Sequence, residues 1–474
     1  MIWKIKILVF CLAVISCTAD DFEDQSTSSA SVGEFSRKTS EGGGTSKNMD
    51  EDLTRTSPQS TSNSSHDEYM SKIASPNLPY EDDSISPSIL GSEEPSKDDL
   101  ASEPKLEKVK EEFPDEVATQ VEIPLSDEKT AKYIDMVNKG SGYFFNASDE
   151  WYESRSCFSC HTNTAYLYTM PSIASNPLYS DDIRENYKQV FSQLSSWLDT
   201  RFSPGSSYLS NGGYLIPTVM AFVFSKENFK RDADTLSDDQ LKQELDLLTA
   251  LKQEIKEGNF NWFNLGIPPM EHDNDYGHTL AALVFGVNEG NQNTDEIRYL
   301  IDYFEKNKAQ NLHQKGMRAW ANSYYKGDLK LFSTETINEY IDDLVAAQNP
   351  DGGWRLASLG KGDPGWQDTG TLEEQTGNKS DGYGTGFVLM TLLKNGFSIN
   401  SPAIKNGLLW LEKNQVPDLD AEGNDNYRPG SWFTRSQANK TNYITNAGTG
   451  FVLMSLDLVI SKSESLKESI SEKN

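Results

Sequence analysis

The chain repeats a heptapeptide. Gly384-Thr385-Gly386-Phe387-Val388-Leu389-Met390 recurs, residue for residue, as Gly448-Thr449-Gly450-Phe451-Val452-Leu453-Met454. A repeat of this kind demands a recurring structural unit, and its apolar run predicts a buried helix, because a helix apolar on most faces has none to offer water. Looser copies lie upstream. Asp275-Tyr276-Gly277-His278 opens a nearly all-apolar stretch to Leu283, and Gly212-Gly213-Tyr214 opens another to Phe224. Between the apolar stretches lie segments with one polar face, at 186–202, 240–256, 296–306 and 334–348. Ser401 and Pro402, following Gly396, supply the N-cap and first-turn residues of one more helix through Asn414. The pattern predicts an all-α body over 211–462 in which buried and outer helices alternate.

A second repeated element sits at the ends of the outer segments. Gln348-Asn349-Pro350-Asp351-Gly352-Gly353-Trp354 reads QxxxGxW, and Gln415 with Gly430-Ser431-Trp432 is a second copy with a longer loop. Such an element caps a helix and stacks an indole on the neighbouring turn, locking successive repeats together. Over about 210–460 the chain resembles the prenyltransferase/squalene-cyclase repeat family. That resemblance implies an α/α toroid, with inner helices around a central cavity and outer helices around those. It does not bring the family's chemistry with it. The acid motif of class II cyclases, DxDD, has only the partial matches Asp273-Asn274-Asp275-Tyr276 and Asp418-Leu419-Asp420-Ala421, both lacking the closing acid. The prenyltransferase zinc site uses Asp, Cys and His, and the body's only cysteines are Cys157 and Cys160. Candidate cavity residues are Asp275 and Asp381 at the starts of inner helices, with Thr445 and Asn446 in the corresponding place of the last repeat; the alternative role for Asp and Asn there is helix capping. Trp354, Trp366 and Trp432 are packing residues or cavity walls.

Those two cysteines lie in Cys157-Phe158-Ser159-Cys160-His161, the CxxCH pattern of covalent haem c attachment. Two thiols form thioethers and the adjacent imidazole ligates the iron, so the expected cofactor is one covalent haem c on Cys157 and Cys160 with His161 as proximal ligand. The competing readings are a redox dithiol, which belongs at a strand-to-helix junction unlike these flanks, half a zinc site, which lacks a second close pair of Cys or His, and a chance match. For the sixth ligand the candidates are His278, His272, Met270, His313 and Met170, the last following His161 too closely to reach the opposite face; an open five-coordinate iron is the other possibility. The exported CxxCH-plus-repeat arrangement resembles a group of bacterial proteins that join a haem-attachment segment to squalene-cyclase-like repeats.

Lys4 and Lys6 precede an apolar stretch from Ile7 to Ile15, the layout of an export signal. Val14-Ile15-Ser16-Cys17 resembles a lipobox, which implies lipidation of Cys17 and a lipid-anchored protein at the periplasmic or cell-surface face of a bacterial membrane; the alternative is ordinary cleavage near Ala19. Residues 18–130 are rich in Ser, Thr, Asp, Glu, Pro and Gly and carry more than half of the formal charge of −29, so the expectation there is a disordered acidic tether. With no basic stripe, nucleic acid is excluded as a partner, leaving the membrane and a redox partner protein of unspecified identity. The expected organisation is a signal over 1–17, the tether over 18–130, a haem-attachment segment over 131–210 integrated with the toroid body over 211–462, and a disordered tail over 463–474. Two functions follow: an electron-transferring monohaem cytochrome built on the toroid, or a periplasmic haem-dependent or cyclase-like enzyme acting on an apolar or carbohydrate-like substrate in the toroid cavity. The absence of both catalytic motifs favours the first.

Overall fold

The computed structural model describes residues 122–473 apart from 157, 202–214, 230–236, 259, 261, 263–265, 290–293, 328, 364, 367, 371–373, 376, 378, 418–427 and 438–442. The export signal, Cys17, the tether through 121 and Cys157 lie outside the described residues. Among those described there are fourteen helices and no strand, with a single bridge between Ile267 and Glu271. The all-α expectation holds.

The polar-faced helices are α1 (Asp127–Arg155), α4 (Asp181–Arg201), α6 (Asp238–Lys256), α8 (Asp295–Lys306), α10 (Thr334–Ala346) and α13 (Pro402–Asn414). The helices between them are α2 (Asn163–Thr169) with the short α3 (Pro171–Ser175), α5 (Leu215–Asn228), α7 (Asn274–Glu289), α9 (Leu312–Asn322), the short α11 (Leu356–Leu359), α12 (Gly382–Lys394) and α14 (Ile444–Lys473). Burial separates the two sets. On α8 only Ile297, Leu300 and Phe304 are buried, whereas on α12 every residue from Gly382 to Leu393 is. Short polar side chains start the outer helices: the Ser237 hydroxyl accepts from Gln240 N (3.2 Å) while Gln240 Oε1 accepts from Ser237 N (2.9 Å), and Thr294 and Ser333 cap α8 and α10.

Each buried helix packs on the next: α2 on α5, α5 on α7, α7 on α9, α9 on α12, α12 on α14, and α14 back on α2. Aromatic side chains from this set meet one another. Tyr168 of α2 lies 6.4 Å from Trp320 of α9; Trp320 lies 5.8 Å from Phe451 of α14; Phe451 lies 5.4 Å from Phe387 of α12.

The repeated motifs explain how neighbours are joined. In the first copy Gln348 Nε2 donates to Gly352 O (2.8 Å) and to Ala403 O of α13 (2.9 Å), and Trp354 Nε1 donates to Leu344 O (2.7 Å). In the second, Gln415 Nε2 donates to Gly430 O (3.0 Å) and to Met136 O of α1 (2.9 Å), and Trp432 Nε1 donates to Leu411 O (2.9 Å). The heptapeptide threonines do matching work: Trp354 N donates to Thr385 Oγ1 (3.0 Å) and Trp432 N to Thr449 Oγ1 (3.3 Å). Each motif thus hands its outer helix to the next, and the second hands α13 to α1. Glu412 of α13 reinforces that junction, pairing with Lys129 and Lys132 (2.7 Å) and accepting from Tyr133 Oη (2.8 Å). Gly352 and Gly430 both sit at positive φ, 97° and 85°, and a Cβ there would meet the backbone of α13 and α1, at 2.8 Å from Asn406 O and 2.5 Å from Lys139 O.

Three expectations are corrected. The tail expected over 463–474 is instead the continuation of α14 to Lys473; Val459, Ile460 and Ser463 are fully buried and hold it on the body. The tether does not reach 130, because α1 begins at Asp127 behind the N-cap Ser126, while Glu122 pairs with Lys462 (2.8 Å) and Leu125 N donates to Ser463 Oγ (2.8 Å). Two further buried helices, α2 and α9, join those anticipated at α5, α7, α12 and α14. Ile444–Glu472 is long and apolar enough to span a membrane, yet 89% of its apolar window is buried inside the protein, as a core helix requires.

Candidate functional site

The CxxCH turn joins α1 to α2. α1 ends at Ser156, whose φ of 49° puts a non-glycine residue in left-handed backbone. Phe158 then packs against Tyr152 (5.4 Å) and Trp197 (5.6 Å), and Cys160 is buried with 7% exposure. His161 stacks on Tyr443 at 5.2 Å and 8° and meets the edge of Trp151 at 5.0 Å. Its Nδ1 lies 2.9 Å from Thr162 Oγ1, an oxygen that also accepts from Asn446 Nδ2 (2.9 Å). Asn446 Oδ1 accepts in turn from Tyr143 Oη (2.5 Å), and Arg428 Nη1 donates to that tyrosine oxygen (3.3 Å). Helices α1 and α14 and the 428–437 segment therefore hold one imidazole from behind. The tautomer with Nδ1–H donated to Thr162 is the one that places the lone pair on Nε2, as an axial ligand requires. His161 offers an imidazole donor, and Cys160 stands on the same turn.

The turn at 267–273, just before α7, packs against Cys160. Burial and the neighbouring Glu271 carboxylate push the Cys160 thiol well above its ordinary value; burial likewise raises Glu271, with the thiol beside it pulling the other way. Next along the turn, His272 Nε2 lies 3.0 Å from Asp363 Oδ2, and Asp273 accepts from Tyr276 N (2.9 Å) and Gln314 Nε2 (3.0 Å). His272, Asp273 and Asp363 bring ligand atoms within 4.8 Å of one another. Sequence reading named His272 and missed Glu271, its immediate neighbour, and Asp363, which lies some ninety positions away with no spacing to single it out.

The remaining candidates have other employments. His278 donates or accepts at both nitrogens, to Asn274 O (2.6 Å) and Tyr299 Oη (3.3 Å), and stacks on Tyr303 at 3.4 Å; burial lowers it to about 4. It faces outer helix α8, where both ring nitrogens are engaged. His313 is fully committed to the aromatic interior, with Nε2 3.0 Å from Tyr383 Oη and the ring 4.9 Å from Phe387; burial lowers it to about 3. Met170 is completely buried at the α2–α3 junction, and Met270 is buried with its carbonyl accepting from Trp262 Nε1 (2.6 Å).

Asp275 is not a free cavity carboxylate. Arg318 of α9 grips it through Nη2 and Nε (3.3 Å) and also donates to Asn307 O (2.6 Å); burial pushes Asp275 up to about 6 while Arg318 holds it down. Asp381 caps α12, accepting from Gly384 N (2.8 Å) and Leu356 N (2.7 Å); burial pushes it up to about 7 against those two N–H groups. Thr445 bridges backbone, accepting from Thr434 N and donating to Thr434 O (both 3.1 Å). Trp354 and Trp432 are packing residues, and Trp366 lies beside His313 at 5.3 Å.

No protein-family model matches this chain, and no curated protein does. The reading of the site therefore rests on its own geometry.

Proposed function

We propose that this chain is an exported monohaem c-type protein that transfers electrons, with its attachment turn built into an α/α toroid. The observation that carries the haem reading is the mounting of His161: an imidazole held at Nδ1 by Thr162, backed by Asn446, Tyr143 and Arg428, and packed in one cluster with Tyr443 and Trp151. A ligating histidine needs its second nitrogen engaged so that ring orientation and basicity are set before the iron is met. Cys157, Cys160 and His161 would hold the group, which supplies one-electron redox chemistry when bound. Because Cys160 is buried, its thioether bond must form before the chain closes around it.

The toroid reading is supported by the closed order of helix contacts and by the second QxxxGxW copy, which ties the last outer helix to the first. Export and lipid anchoring through Cys17 rest on the signal and lipobox pattern alone. Electron transfer is favoured over cavity chemistry because Asp275 and Asp381, the carboxylates that an enzyme reading would use, serve an ion pair and a cap. The test is a pyridine haemochrome spectrum of the mature protein expressed with cytochrome c maturation machinery. Wild type should show one haem that resists acid-acetone, and Cys157→Ala/Cys160→Ala should show none; no covalent haem in wild type would end this reading.

A further inference from the structure

We propose that His272, Asp273 and Asp363 bind one divalent transition-metal cation in front of α7. Their ligand atoms lie within 4.8 Å of one another, the separation that three ligands at about 2.0–2.3 Å from one ion permit. Charge carries the argument further. Every hydrogen-bond donor on the two carboxylates is neutral or a histidine: Tyr276 N and Gln314 Nε2 on Asp273, and Gly365 N (2.9 Å), His272 Nε2 and Asn311 Nδ2 (3.4 Å) on Asp363. Among the described residues neither carboxylate has a Lys or Arg partner. The His272 and Asp363 side chains are only 11% and 15% exposed, so water does not disperse that charge either. Two carboxylates whose one potentially cationic neighbour is a histidine are what a dication compensates.

The histidine adds a second indication. Apart from Asp363 at Nε2, His272 has no hydrogen-bond partner among the described residues, its buried Nδ1 included, so no other group competes for the imidazole. The surroundings are also rigid. Asp273 bonds to the first turn of α7, Asn311 caps α9 through Gln314 N (2.9 Å), and Gly365 abuts the imidazole so closely that a Cβ would lie 2.0 Å from His272 Cε1. One imidazole and two carboxylates suit manganese, iron(II) or zinc and not a soft ion such as copper(I). None of the three residues belongs to the CxxCH turn, although the 267–273 turn packs against Cys160.

The probe is manganese(II), titrated into the full-length mature protein while the EPR signal of free aqueous Mn²⁺ is followed. Wild type should remove one equivalent more of that signal than Asp363→Asn, whose affinity at this site should fall about a hundredfold. The acidic N-terminal region is common to both proteins, so the difference isolates this site. His272→Gln is the second variant, and a manganese-dependent rise in melting temperature, present in wild type and absent from both variants, is the second reading. Identical titrations of wild type and Asp363→Asn would overturn the proposal.

Discussion

Three glycine-to-alanine substitutions weigh the junction between α13 and α1. Gly396, Gly352 and Gly430 all have positive φ, at 90°, 97° and 85°, so each alanine incurs a backbone cost of about 1 kcal/mol. Only the surroundings differ. A Cβ on Gly396 would meet nothing within 4 Å, one on Gly352 would lie 2.8 Å from Asn406 O, and one on Gly430 would lie 2.5 Å from Lys139 O. Forcing a methyl against backbone adds about 1–3 kcal/mol. The expectation is about 1 kcal/mol for Gly396→Ala and about 2–4 kcal/mol for Gly430→Ala, with Gly352→Ala between them. A folded body of about 350 residues has an unfolding entropy near 0.7 kcal/mol/K, so the melting temperature should fall by about 1–2 °C and about 3–6 °C respectively. Far-UV circular dichroism melts, with urea titrations as a check, read both. If Gly430→Ala costs no more than Gly396→Ala, α1 does not lie on the 415–432 motif, and the reasoning that joins the two ends of the helical body is wrong.

Two further substitutions address the buried polar contacts. Arg318→Met removes the partner of Asp275 and should destabilise the protein by about 3 kcal/mol at pH 8. Burial already holds Asp275 at about 6, above its ordinary 3.8, so its contribution is full below about pH 4 and is lost as pH rises through 6. Without Arg318 the carboxyl rises further, and the deficit should be larger at pH 8 than at pH 5; urea titrations showing an equal or larger deficit at pH 5 would contradict this. Asn446→Ala should cost about 1–2 kcal/mol, because it strips partners from Thr162 and Tyr143. A double-mutant cycle with Thr162→Val should be non-additive, and strict additivity would disconnect Asn446 from the mounting of His161.

The parts of the fold legible in the sequence are those where apolarity alone decides. α5, α7, α12 and α14 announce themselves because nearly every side chain is apolar, and the outer helices because one face is polar. α9 escapes because Gln314 and Arg318 look like surface residues; they are buried only because Asp273 and Asp275, some forty positions earlier, receive their charge and hydrogen bonds. α2 escapes because it is seven residues long and opens with Asn163 and Thr164, whose side chains are satisfied by Ser148 O (2.7 Å) and Ser159 O (2.8 Å). The site was legible as positions more than as roles. Capping at a helix start is legible for Asp381, but only a tertiary contact reveals that Asp275 is half of an ion pair. Asn446, expected on a rim, donates to Thr162 Oγ1, the neighbour of His161 Nδ1. Periodicity could not show which face of α7 carries His278, since Tyr299 and Tyr303 arrive from another helix.

Limited proteolysis of the mature, haem-loaded protein, with haem followed through the fragments by its absorbance, tests the central claim that the attachment turn belongs to the helical body. α2 packs on both α5 and α14, and Gln415 and Glu412 bind α1, so no cut between 202 and 214 should release an independent piece. The account predicts early cleavage before Glu122 and one haem-bearing core that holds together from there to the end of α14. A stable haem fragment ending before residue 215, separable in solution from a stable 215–473 fragment, would contradict it.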